Sequence, residues 1–352
     1  MTYVIPFKLP AAAVLDIKAV YTGEKTIAAL SKTITDSISV TKNKSFLVFQ
    51  YEADFSGDDP EDMTVWGEIT NNTTVTFGRQ DSANGDIIIR YWIVEFKAAS
   101  AATVQHGSKA LASATENVTI SAVSLTNAFP LISWEVDGTN LNDKDFVSAE
   151  ITTTTNLQLQ VKRTSVHTVK WQVINCPNWT VKKYTSTISG TSQNVTLSPT
   201  VTQAETWIVA TARTTTEGPV DGGGVPQFNL TSSSNINIYR DDANQTFYFI
   251  IYVIEGAGKF AVQHQNGETI ASGASTGSTS LSPNISLTNS LLYMGCPGVC
   301  QGNNETNTSA AGECLYIKHK INSVSQSGQE RYSNPAAAVR FSFQSVDFSA
   351  AI

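Results

Sequence analysis

Three strands of one design recur in this chain: "RYWIVEF" from Arg90, "VKWQVINC" from Val169 and "IIYVIEG" from Ile250. Glu95, Asn175 and Glu255 hold the same place in them, 80 residues apart at each step. A repeat of that length constrains the fold strongly, because every copy must form the same unit. It is also long enough for each copy to enclose its own core, unlike solenoid repeats of roughly 20–45 residues.

Alternation within the repeat indicates strands. Ile89, Tyr91 and Ile93 match Val169, Trp171 and Val173, then Phe249, Ile251 and Val253, so one face is apolar at period two. The opposite face holds Arg90, Trp92, Lys170, Gln172, Ile250 and Tyr252, a mixture expected of a half-exposed surface. A preceding strand repeats as Val75/Phe77, Leu157/Leu159 and Ile236/Ile238. Earlier still come "SVTKNKSFLVF" from Ser39, "SLTNAFPLISW" from Ser124, "TVTQAETWIVA" from Thr200 and "SLTNSLLYMG" from Ser286. "TVQHGSKAL" from Thr103 matches "AVQHQNGETI" from Ala261 and, more loosely, "AVYTGEKTI" from Ala19. A fourth copy closes on "AVRFSFQSVDF", with Asp347 92 residues after Glu255, and carries an insertion from Cys296 to Cys314.

The pattern predicts an all-β chain of four tandem small β-sandwich or barrel domains of about 80 residues. Their expected bounds are an N-terminal arm over 1–16, then 17–103, 104–183, 184–261 and 262–352 with the cysteine insertion. Beads on a rod are the expected arrangement. The best helical candidate is Ala11–Val20.

Only 15% of residues are charged, against roughly 25% in an ordinary soluble domain. The net charge of -7 argues against nucleic acid or an anionic membrane as partner. No run approaches the ~18 apolar residues of a membrane span, so no membrane insertion is expected. The first 20 residues lack the order of a signal peptide, so export by the standard route is not expected.

Four cysteines in a chain this long make no disulfide scaffold. Cys296, Cys300 and Cys314 are disulfide candidates that would pin the insertion, with free thiols or zinc shared with His319 as the alternatives. Zinc is the least favoured, since the second closely spaced ligand pair is missing. Cys176 falls in the phase of Phe96 and reads as a small packing residue. His106 and His264 occupy equivalent places, which suits structure better than catalysis, and His167 falls in a turn expected to be solvated.

The longest irregular loops lie at one point of every copy, which makes them candidate contact loops on a constant scaffold. In the first, Asp54, Asp58 and Asp59 read either as oxygen ligands or as a solvated turn. Trp66, Trp134 and Trp207, with Trp92 and Trp179, are candidate sugar platforms or else core residues. No Ser-His-Asp pattern, phosphate-cradling glycine loop or paired carboxylate stands out, so neither an enzyme nor a cofactor is expected.

The strands "VKWQVINC" and "RYWIVEF", with "VQHG" after the first of these domains and a Thr/Asn-rich "LTN" strand before, resemble repeats in structural proteins of tailed-phage virions. In those a W-Q-V-V-E-F-like strand recurs in tandem β-domains. Trp171, Gln172 and Val173 match it directly; Tyr91, Ile93, Val94, Glu95 and Phe96 match with Tyr for Trp; Val253, Ile254 and Glu255 match in part. The likeness covers residues 17 to 270 well and departs most at "RFSFQSVDF". Such domains serve in tail fibres, baseplates and head decorations, and the strand pattern is also similar to H-type lectin-like modules. The resemblance implies a non-enzymatic virion protein, made in the host cytoplasm and bound to other virion proteins and to copies of itself. A carbohydrate-binding adhesin that meets a host surface glycan is the alternative.

Overall fold

The computed structural model describes residues 16–53, 64–80, 85–136, 142–163, 167–218, 220, 225–240, 243–270, 274, 276–282, 284–293, 318–323, 325–330 and 339–349. The chain is all-β, and the only helical turns among the described residues are Lys42–Lys44 and Gln203–Glu205. Copy 1 holds β1 (Ile17–Ile27), β2 (Thr33–Ser37), β3 (Ser45–Ala53), β4 (Trp66–Asn71), β5 (Thr74–Gly78) and β6 (Ile87–Phe96). Copy 2 holds β7 (Thr103–Ala110), β8 (Thr115–Thr119), β9 (Ala128–Trp134), β10 (Ser148–Thr153), β11 (Asn156–Gln160) and β12 (Thr168–Asn175). Copy 3 holds β13 (Thr180–Ile188), β14 (Ser192–Thr196), β15 (Thr206–Thr214), β16 (Gln227–Ser232), β17 (Asn235–Tyr239) and β18 (Phe247–Glu255). Copy 4 holds β19 (Ala261–Ile270), β20 (Thr276–Ser280), β21 (Ser290–Tyr293), β22 (Lys318–Ser323), β23 (Gln326–Glu330) and β24 (Val339–Asp347).

Every copy builds the same two antiparallel sheets of three strands. The first, sixth and third strands form one, with the sixth central; the second, fifth and fourth form the other, with the fifth central. Apolar residues of both sheets meet between them, as in the ring contacts of Phe77 with Phe49 and Tyr91 at 5.4 and 5.3 Å. Each copy is therefore a small sandwich.

The recurring acid or amide has one task in all four copies. Glu95, Asn175, Glu255 and Asp347 each accept the backbone N–H of the turn before the third strand, from Thr41, Ser124, Thr202 and Ser286 at 2.9, 3.1, 3.3 and 2.9 Å. That turn donor would otherwise lack a partner beside the sheet, so one carboxylate or amide oxygen is retained where the rest of the strand varies.

Departures from the repeat are compensated across the sheet. Gly23 faces Tyr91 and Gly107 faces Trp171 in register, and a Cβ on either glycine would collide with the ring. In copy 3 the large residue changes strand: Tyr184 on β13 faces Ile251 on β18. Volume across the pair is kept, which is what a close-packed interior demands.

The copies are not beads on a rod. The fourth strand of each copy packs on the larger sheet of the next, and β22 of copy 4 packs on β3 and β6 of copy 1, closing a ring. The face expected to be half-exposed is largely buried in this ring: Trp92, Tyr252 and Gln172 are 1%, 2% and 8% exposed, and Ile250 is fully enclosed. Phe46, Phe129, Trp207 and Leu291, equivalent residues of the four third strands, all have no exposed surface and belong to one shared core. Trp207 reaches three other copies, with ring contacts to Phe46, Phe129 and Tyr293 at 6.1, 5.5 and 5.2 Å. Trp179, in the segment joining copies 2 and 3, touches Phe96, Phe129, Phe260 and Phe348.

The expected helix is also replaced. Residues 17–20 open β1, where Ile17 and Val20 enter the shared core. The preceding Asp16 is buried and accepts hydrogen bonds from Ser100 and Asn178, tying the start of copy 1 to the two following linkers. The remainder of the arm lies outside the described residues.

Candidate functional site

The polar side chains that the sequence leaves unassigned gather at the seams between copies. The third and fourth strands are sheet edges, and an open edge exposes backbone N–H and C=O groups that invite pairing. Each copy closes the edges of the one before it. The side-chain amide of Gln172, from copy 2, accepts the N–H of Leu47 at 2.7 Å and donates to its carbonyl at 3.0 Å. Gln344, from copy 4, does the same to Ile208 at 2.8 and 2.8 Å. A glutamine amide has one donor end and one acceptor end, so it substitutes for a neighbouring strand's peptide.

Hydroxyls close the fourth strands of copies 1 and 2. Ser133 accepts the Gly67 N–H at 3.1 Å and donates to the Gly67 carbonyl at 3.2 Å. Thr211 treats Ala149 in the same way at 3.0 and 3.4 Å, and the Tyr252 hydroxyl accepts the Ile151 N–H at 2.9 Å. At the closing seam Gln50 donates to the Leu292 carbonyl at 2.9 Å.

His106 and His264 are seam residues as well. Their Nε2 atoms donate to the carbonyls of Lys42, and of Thr206 and Gln203, in the turns of the preceding copies. Burial pushes both imidazoles down to about 4, although the carbonyl bonds work in the opposite direction. They are neutral donors near neutral pH.

The far end of each sandwich is a rim formed by the loops after its first, third and fifth strands. In copy 1 Arg79 gathers this rim by donating to the carbonyls of Ser31, Gly85 and Ala28. In copy 2 the rim holds Asp143, Asp145 and His167, all with no exposed surface. His167 is therefore not solvated: its Nε2 lies 3.3 Å from Asp145 Oδ1 beneath the loops. Burial raises the Asp145 carboxyl despite that imidazole. A general base must reach a substrate proton, and this pair is sealed from solvent. Rims of neighbouring copies also touch, with Asp143 N–H donating to Gly218 and Thr214 donating to the Asp143 carbonyl.

The sequence-predicted binding residues are scattered. Trp207 fills the shared core and Trp134 is 2% exposed, its Nε1 donating to the Asp145 carbonyl at 2.9 Å, so neither offers the open ring face that sugar stacking needs. Trp66 is half-buried at the first seam, with the Lys170 ammonium 4.6 Å from its ring centre and 3.0 Å from Glu68. Asp54, Asp58, Asp59, Cys296, Cys300 and Cys314 lie outside the described residues. Cys176 is buried in the shared core, and burial pushes its thiol up to about 12. Among the described residues no three His, Cys, Asp or Glu side chains group as metal ligands. No helix of those residues is long and apolar enough to cross a membrane.

The seam residues carried a sequence signal. Gln172 is an amide between the apolar Trp171 and Val173, and Gln344 is an amide beside Phe343 in the middle of a strand. Comparison with models of known families and with curated proteins finds no match.

Proposed function

We propose that this chain is a non-enzymatic structural protein of a tailed-phage virion, associated with tail, fibre or capsid and present in many copies. The observation that carries the reading is the use made of the resembling strand. Gln172 of "VKWQVINC" and Trp92 of "RYWIVEF" face seams, and Glu95 and Asn175 brace the turns beside them. The recurring acid or amide thus shapes each sandwich, while the neighbouring position of the same strand joins the four sandwiches into one body, which suits a part that works by mechanical integrity. Its partners are other virion proteins and further copies of itself, with repeated weak contacts strengthened by avidity.

The test is direct. Antibody labelling and electron microscopy of purified particles, with mass spectrometry of the same preparation, should locate the chain at a fixed position and stoichiometry. Its absence from purified particles would end the proposal.

A further inference from the structure

The seam of copies 2 and 3 departs from the first seam at one place. At the first seam Thr41, Lys42, Asn43, Asn72, Val104 and His106 line a polar dent of about 380 Å³, and His106 leans across to the Lys42 carbonyl. The residues equivalent to Lys42 and His106 at the next seam are Leu125 and Lys183. Lys183 turns to Glu150 at 2.5 Å and Lys182 to Glu255 at 2.7 Å, so both ammonium groups are paired. Between them lies a groove of about 430 Å³ walled by Leu125, Ile151, Val181, Tyr184, Pro199 and Tyr252. Leu125 is 45% exposed, one of three large apolar side chains so placed among the described residues. The Tyr184 hydroxyl donates to the Ser198 carbonyl and accepts its N–H, which stands the ring next to Pro199. Leu287 is the equivalent exposed leucine of copy 4, but Gly23 holds the place of Tyr184 at that closing seam. Gly107 and Gln265 hold it at the other two, so the tyrosine wall belongs to one seam of the four.

The segment before copy 1 joins the ring beside this groove. Asp16 accepts a hydrogen bond from Asn178 at 2.8 Å, and Val181 of the groove wall comes three residues after Asn178, at most about 11 Å along the chain. The six steps from Asp16 back to Pro10 reach about 20 Å when extended, enough to bring Pro10 and the residues before it onto the groove. Residues 1–15 carry one charged side chain, Lys8, and no acid. They include the run Val4, Ile5, Pro6 and Phe7, followed after Lys8 by Leu9 and Pro10. Each proline biases the residue before it, Ile5 or Leu9, toward extended backbone.

We infer that this groove takes residues 4–10 of the chain's own N-terminal arm, with Ile5, Pro6 and Phe7 against Leu125 and the tyrosine rings. Extended segments rich in proline dock into aromatic-lined grooves because they lose little conformational freedom there. With both lysines paired, the groove is neutral and largely apolar, which matches a segment without acids. Its volume is in the range of small-ligand sites, roughly 300–1,000 Å³, and holds a few side chains of the arm rather than all of it. Attachment within one chain gives an effective concentration of about the millimolar range, so the chain's own arm prevails over that of a second copy in dilute solution. The contact is a property of the isolated chain and does not rest on the virion reading.

Two measurements on the full chain test it. The first replaces Phe7 with photoreactive p-benzoylphenylalanine and maps the cross-links by mass spectrometry in dilute solution. Cross-links within one molecule to residues 125–126, 181–184 or 198–199 are expected. Cross-links to the turn at 286–289 would put the arm at the closing seam instead, and cross-links only between molecules would make a second copy's arm the occupant. Either result, or no cross-link to the groove, would overturn the inference. The second measurement is the rate of limited trypsin cleavage after Lys8. Leu125→Ser, at an exposed turn position, and Ile5→Ser should each quicken it about tenfold, the effect expected from losing one buried apolar side chain. Leu287→Ser should leave the rate unchanged. Equal rates in all of these proteins, or an equal quickening by Leu287→Ser, would count against the groove as decisively as a misplaced cross-link.

Discussion

The seams between copies 1 and 2 and between copies 3 and 4 are built alike; the other two are built differently. The matched pair uses a glutamine of the sixth strand, Gln172 or Gln344, on the peptide of Leu47 or Ile208, and a histidine of the first strand, His106 or His264, on the preceding turn. At the seam of copies 2 and 3 the residue equivalent to Leu47 is Pro130, which has no N–H to give. Tyr252 stands in the place of the glutamine there and reaches Ile151 instead. At the closing seam Trp92 takes the glutamine's place, and Gln50 of the third strand caps the Leu292 carbonyl. The chain is thus a pair of pairs: a sixth-strand glutamine serves two edges, a proline removes the donor at the third, and at the fourth a third-strand glutamine reaches the Leu292 carbonyl instead.

The sharpest way to break both kinds of seam together is at the centre they share. Trp207→Ala removes the ring that touches Phe46, Phe129 and Tyr293, and a fully buried Trp or Phe truncated to Ala costs about 3–5 kcal/mol. Denaturant unfolding should show one transition with a lowered midpoint, since residues of all four copies meet there. Separate transitions, or a loss under about 1 kcal/mol, would mean that the copies stand alone. Gln172→Leu acts on one matched seam only. It leaves the Leu47 N–H and carbonyl without their buried partner, for about 1–3 kcal/mol. Gln344→Leu should cost a similar amount, and the two losses should add.

Acid separates the seams by chemistry. His106 and His264 are protonated with greater difficulty in the fold than in the unfolded chain, where the pKa is about 6.5. Between that value and about 4 the unfolded chain binds more protons, so stability falls as pH falls through this window. Around His106 the charged groups are Lys42, which opposes protonation, and the more weakly acting Glu68, which favours it. Allowing for the partial exposure of the rings, the loss is about 1–2 kcal/mol for each histidine. The double variant His106→Gln, His264→Gln should flatten the dependence of the thermal midpoint on pH across this window. An unaltered slope would place the proton sensitivity elsewhere.

How much of this was legible in the sequence depends on what each residue answers to. The strands were, because period two and the 80-residue interval survive in Ile89, Val169 and Phe249 whatever surrounds them. The all-β class followed from the same signal. The first strand of copy 3 is hard to match to Thr103–Ala110 in the sequence, because Lys183 and Tyr184 stand where copies 2 and 4 have His-Gly and His-Gln, and the compensating Ile251 lies 67 residues away. The ring was hidden for a related reason. Trp92, Gln172 and Tyr252 look like a mixed, half-exposed face until a neighbouring copy covers them, and periodicity within a strand carries no record of what covers it. Trp134 and Trp207 were read as possible platforms on the same footing, since an aromatic at a strand position reads alike in a core and on a surface. His167 sits in a turn by sequence, yet Asp145 and the rim loops close over it.

Tyr252→Phe gives the smallest expected effect and the finest comparison between seams. The ring stays in the shared core, 2% exposed in the native side chain, so packing is kept and only the hydroxyl is lost. That hydroxyl accepts one N–H, from Ile151 at 2.9 Å, whereas Gln172 satisfies both a donor and an acceptor on Leu47. One neutral hydrogen bond is worth about 0.5–1.5 kcal/mol net. The cost should therefore be about 1 kcal/mol, roughly half that of Gln172→Leu, and hydrogen exchange should quicken at the Ile151 amide but not at Leu47. If both variants cost the same, or if Leu47 responds to the tyrosine change, the two kinds of seam are coupled through the shared core and the pair-of-pairs description fails.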